Sequence, residues 1–256
     1  MSMNLINNIS ALNISRNLDL TTISMFKTMN KLSSGLRINS ASDGPAALVI
    51  SERMRSQIAS LNQEIENTSI AINKYQTTDS ALQDLRGNLN EIRTLAVAAS
   101  NTGVNDAAMQ EAYQREADDL VQSYNRIVET SSFGNQKLLD GSSGAPANVP
   151  KLDKFDLSTA EAAGNSIAAI DDAVTRLDQN IADIGATQKN SLESHLSNLR
   201  IEAQNLTAAE SQIRNTDYAA EFASLIRDQL LVSSAVSLLS HSALTPRLVL
   251  NLLSEE

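Results

Sequence analysis

The chain has 256 residues and a formal charge of −10 at pH 7; 42% of its residues are apolar but only 3% aromatic, with no Trp, no Cys, 9 Gly and 4 Pro. The lack of cysteine excludes disulfides, thiolate metal sites and cysteine nucleophiles, and the acidic balance argues against nucleic acid, whose phosphates need a concentrated basic face. An apolar fraction drawn from Ala, Leu, Ile and Val, with few turn formers, favours helices over sheets.

The first segment, about 1–34, has Leu5, Ile9, Leu12, Phe26 and Leu32 among its apolar positions. It shows neither a basic n-region nor a continuous apolar core, so no cleaved signal peptide is predicted. No uninterrupted apolar run reaches the ~18 to 20 residues of a bilayer span, and no membrane association is expected. The helical pattern breaks at "SSGLRINSASDG", and Pro45 suits a first helical turn because its missing N–H would be unpaired there. From Ala46 to about 99, apolar residues recur in steps of three and four, with sevenfold series such as Ile58/Ile65/Ile72. That spacing predicts one helix of ~80 Å presenting a narrow seam.

"SNTGVND" (100–106) ends this run, with Asp106 placed to cap a second helix reaching about Thr130. Residues 131–160 hold three of the glycines and two of the prolines without helical period, and are expected to form a short β-hairpin or irregular segment at one end of the rod. A third amphipathic run covers roughly 160–210, and the last segment, about 217–256, carries Phe222, Leu225, Leu230, Val236, Val249 and Leu253. The fold class predicted is all-α: an elongated antiparallel helical bundle or coiled-coil rod with paired N- and C-terminal helices. Its division is 1–40 plus 212–256 as one domain and 41–211 as the other.

Residues 1–40 carry four basic residues against Asp19 and residues 212–256 three Arg against five acids, so nearly all the negative charge lies between them. Neither weakly charged end has a core of its own. Single helices gain most of their stability by burying a face, and exposed apolar patches mark interaction surfaces, so neighbouring copies of the chain are expected to complete the burial.

The stretches "NLINNISALNISRNL", "KLSSGLRINSASDGPAALVISERMRSQIASLNQ", "SSFGNQKLLDGS" and "AESQIRNTDYAAEFASLIRDQLL" together resemble bacterial flagellin, in a minimal form whose large variable outer domain is reduced to 131–160. The resemblance implies terminal helices that line the core of a hollow helical homopolymer, with the two ends supplying the self-assembly residues named above. It implies that Gly35, Arg37, Asn39, Asp43 and Gly44 form a spoke between inner and outer layers. It also implies hook-associated junction and cap proteins, an export apparatus and a secretion chaperone as partners, and an extracellular filament that transmits motor torque. A hook–filament junction protein and a secreted coiled-coil binding module are the competing expectations.

"LNEIRTLAVAASN" resembles the surface by which the animal Toll-like receptor for flagellin recognises its target. There Arg93 and Leu95 match, Glu116 sits on the next helix, and Glu91 stands where the recognised form has Arg, so weak or absent recognition is expected. His195 and His241 lack a second ligand at helical spacing, and no HExxH occurs, so no metal, no cofactor and no enzyme activity are expected.

Overall fold

The computed structural model describes residues 8–253 except 102 and 104, with the backbone alone for 243 and 245–253. Six α-helices run in chain order: α1 (Ile9–Ser34), α2 (Pro45–Ala99), α3 (Ala107–Thr130), α4 (Ala160–Ala186), α5 (Ser194–Arg214) and α6 (Tyr218–Leu253). Between α3 and α4 lies a two-stranded antiparallel hairpin, β1 (Ser132–Phe133) and β2 (Gln136–Lys137), and between α4 and α5 the helix widens into a π-helical turn, Thr187–Glu193. The all-α class read from the seam spacing is what the chain adopts.

By compactness the chain divides into two units, residues 1–59 with 203–256, and residues 60–202. The second unit has the dry core. Leu82, Leu85, Leu89 and Ile92 of α2 are completely buried, and they meet Val121, Tyr124 and Val128 of α3 and Ile170 and Leu177 of α4. Heptad spacing explains this: a seam of two residues per seven faces the partners while the rest stays wet. Burial pushes the Tyr124 hydroxyl up to about 12, because the phenolate would lose its hydration there.

The 131–160 segment is more than a terminal hairpin. Leu138, Leu139 and Leu157 are fully buried in the same core, and the chain runs back along α3 held by two carboxamides. Gln114 donates to the Phe155 carbonyl at 2.9 Å and accepts from the Leu157 N–H at 2.6 Å. Asn125 does the same for Leu152, donating to its carbonyl at 2.8 Å and accepting from its N–H at 2.9 Å. A carboxamide offers one donor face and one acceptor, so each acts as a surrogate peptide unit for an extended strand that no sheet neighbour pairs.

Candidate functional site

The first unit is organised around α1 and α6, which pack against each other antiparallel. Asn8 Oδ1 accepts from Ala11 N at 3.1 Å and caps α1. Its Nδ2 donates at 2.9 Å to the carbonyl of Ser242, the group that would otherwise accept from residue 246, a proline without an N–H. One side chain thus completes the start of one helix and a gap in the other. At the opposite end Lys31 and Glu221 form an ion pair at 2.8 Å, and Asp217 Oδ1 accepts from Ala219 N and Ala220 N, capping α6.

Among the described residues of these two helices the only buried ones are polar, Thr28 and Asp228. The apolar side chains are outside: Leu12 is 61% exposed, Phe26 58%, Phe222 57% and Leu230 64%. Ile9 and Val236 are exposed as well, while Leu32 and Leu225 are half-buried between the helices. Leu5 lies outside the described residues, as do the side chains of Val249 and Leu253. Over Tyr218–Ser242, α6 is long and apolar enough to cross a bilayer, with a mean hydropathy of 1.3, although Arg227 and Asp228 stand inside that stretch. Hydropathy alone does not separate a membrane helix from one that awaits a protein partner.

The connector from α1 to α2 is fastened to the junction of α5 and α6. Gly35 takes φ +70 to end α1, and a Cβ there would stand 2.7 Å from the Tyr218 hydroxyl, so a side chain would strain the backbone and displace Tyr218. Leu36 forms a bridge with Asn215; the Arg37 N–H donates to the Arg214 carbonyl at 2.7 Å and Thr216 N to the Gly35 carbonyl at 3.0 Å. The Arg37 guanidinium donates to the carbonyls of Gln212 and Ile213 at the end of α5, where helical carbonyls have no internal partner. Asp43 Oδ2 accepts from the backbone and hydroxyl of Ser40 and from the Asn39 N–H. These bonds, Ser40's first, hold its carboxyl below the usual range.

Of the five connector residues expected from sequence, Gly35, Arg37 and Asp43 do structural work, Asn39 contributes its N–H, and Gly44, with ordinary backbone and van der Waals room for a Cβ, offers its carbonyl to Leu48 N at 2.9 Å. Sequence reasoning missed three residues here: Asn8, Tyr218 and Arg214, whose guanidinium donates to Glu52 on α2 at 2.5 Å and holds that carboxyl below its ordinary range. The Asn8 capping pattern was legible; the partnership of Arg214 with Glu52, 162 positions apart, was not.

The four residues of the receptor-like surface do not form one patch of available side chains. Arg93 is paired with Asp171 of α4 at 2.6 Å, and that hydrogen bond raises the guanidinium and lowers the carboxyl. Leu95 packs against the core, whereas Glu91, Glu116 and the Asp171-bound Arg93 are exposed.

The family model described as the bacterial flagellin N-terminal helical region matches residues 6–144, and the one described as the bacterial flagellin C-terminal helical region matches residues 167–253. A flagellin of Halalkalibacterium halodurans is 37% identical, covering 96% of this chain and 98% of that protein. A Brachyspira hyodysenteriae flagellar filament core protein is 34% identical over 92% and 94% of the two chains, and a Bacillus subtilis flagellin 31% over 98% and 100%.

Proposed function

The chain belongs to the bacterial flagellin family, structural proteins of the extracellular flagellar filament, and from that premise we propose that α1 and α6 are the segments through which copies of this chain polymerise. Supporting this is the pair of helices in which ten large side chains, Leu12, Phe26, Phe222 and Leu230 among them, stand more than half exposed while none of their described apolar residues is fully buried. Moving such a side chain from full exposure to full burial stabilises by ~1.5–3 kcal/mol, so ten left more than half wet on one subunit make a large store of association energy. Heterologous contacts of this kind do not close and generate an open helical array.

In this reading the connector 35–44 is the spoke between an inner layer, 1–40 with 212–256, and an outer one, 41–211. The hydrogen bonds from Gly35 and Arg37 to the α5–α6 junction support it, since both chain ends then change layer at one fastened point. Junction and cap proteins would meet the same terminal helices, and an export apparatus and chaperone would receive them unfolded, without a cleaved signal. Terminal segments that order only when neighbours cover them suit such a route.

Deleting 1–30 or 225–256 from the full chain is expected to leave a soluble, helical protein that no longer polymerises. Electron microscopy of either truncation checks it, and filaments of normal length from one of them would end the proposal. Toll-like receptor recognition is expected to be weak, because Glu91 presents an acid and Arg93 is engaged by Asp171. Nanomolar potency in a reporter-cell assay would refute that.

A further inference from the structure

Within the second unit, the inward positions of α4 follow a strict seven-residue step, Ala163, Ile170, Leu177 and Ile184, each at most 2% exposed. The same step runs on through the half-buried Leu192 of the π-helical turn and, in α5, the buried Leu199 and half-buried Leu206. From Ile184 to Leu192, however, the step is eight, while the facing line of α2 from Leu61 to Ala96 keeps sevens throughout. One surplus residue in an α-helix turns every later side chain by about 100° and would carry the α5 stripe off α2. A π-turn, bonded i to i+5, takes up one residue and leaves the face where it was. The π-helical turn, Thr187–Glu193, overlaps that interval, so the backbone widens where the heptad phase slips.

The fault is pinned and sits where the packing changes. Moved towards α4, it would put Gly185 in the place of Ile184; moved towards α5, it would put Ser191 in the place of Leu192. Inside the interval Thr187 and Gln188, adjacent and both half-buried, share the seam. The α2–α4 ladder of ion pairs ends there too, and beyond the turn α2 meets α5 through His195–Glu64 at 3.3 Å and Arg214–Glu52 at 2.5 Å. Arg93–Asp171 and Arg86–Asp178 are one heptad apart on both helices, and the next rung would join Asp79 to Gly185, which has no charge. Ile184 is also the last α4 residue of the three-helix core, whose far edge is marked by Lys74 donating to Gln136 at 2.8 Å. Below that level the buried side chains of this unit come from α2 and α5 alone, Thr68 among them.

We propose that the π-helical turn Thr187–Glu193 is a built-in hinge, at which the two-helix part of the second unit bends or twists against its three-helix part. Regular packing and ion pairs clamp the helices on the α4 side of the turn, and a polar, widened turn with weaker hydrogen-bond geometry takes the deformation. Resting on the filament reading, the hinge gives each subunit more than one conformation, and its setting selects among alternative filament curvatures.

The test deletes Asn190 from the full chain, restoring unbroken heptads from Ala163 to Leu206. Hydrogen exchange of the amides at 187–193 is expected to slow at least tenfold, with no fall in the thermal midpoint. Reassembled filaments are expected to take fewer waveforms across a range of pH and salt than filaments of the unaltered chain. Asn190→Ala, which retains the surplus residue, is expected to exchange and curve like the unaltered chain. Unchanged exchange in the deletion, or an unchanged set of waveforms, overturns the hinge, as does loss of cooperative unfolding in both ΔAsn190 and ΔLys189. If no version polymerises, the filament reading fails while the exchange comparison still decides the hinge.

Discussion

The α1–α6 pair and the three-helix core of the second unit draw on the same residues at the same helical spacing, and they end in opposite states. In the core, Leu82, Leu85 and Leu89 lose all contact with solvent because α3, α4 and the returning strand 149–157 close every side of the seam. In the pair, two helices give each other one strip of contact, and Phe26, Phe222 and Leu230 remain in water. Amphipathic pattern therefore sets helix formation, while the number of covering elements sets whether a region is complete within one chain. A region left incomplete at this scale is the one we propose as the polymerisation interface.

Paired substitutions test that contrast most directly. Leu85→Ala is expected to lower the unfolding free energy of the monomer by about 2–5 kcal/mol through lost transfer energy and a residual cavity. Leu230→Ala is expected to leave monomer stability within about 0.5 kcal/mol and raise the critical concentration for polymerisation by roughly tenfold. Urea titration and sedimentation of filaments read the two effects; equal monomer destabilisation by both would erase the contrast.

A smaller effect sharpens what closes the core. Gln114→Ala is expected to cost about 1–3 kcal/mol, because the Phe155 carbonyl and Leu157 N–H lose their partner inside the structure, with polymerisation unchanged at saturating stability. A loss below 0.5 kcal/mol in urea would mean that the strand holds its place by apolar contact alone.

The smallest concerns acid. Asp43 and Glu52 have their carboxyls held below the ordinary 3.8 and 4.5, so the stabilisation they lend the connector is complete above the unfolded values and disappears as pH falls through the lower, folded ones. Amide chemical shifts of Asn39 and Ser40 should therefore move in that acid range, whereas those of Leu85 and Leu89, packed among apolar groups, should not. Simultaneous movement of both sets would show that the two regions do not separate.

Much of this was legible beforehand. The α2 boundaries follow from Pro45 and the heptads, the end of α1 from Gly35, and the start of α3 from Asp106, since caps and periodicity are local. The apolar positions of the terminal helices were equally readable, because an unpartnered stripe is a property of the stripe. The receptor-like surface was read from one string, "LNEIRTLAVAASN", together with Glu116 on the next helix; that Asp171 engages Arg93 from 78 positions away is something no local pattern announces.

By itself the sequence determined helix, seam and phase, including the surplus residue between Ile184 and Leu192, because these depend on side chains within a few turns of each other. Only the tertiary structure decided that Gln114 and Asn125 stand in for a missing strand, that Asn8 serves the carbonyl Pro246 leaves open, and that Arg214 holds Glu52. Each of these joins groups distant in the chain, where the pairing is selected by which buried donor lacks an acceptor, and that is settled only when the helices have met.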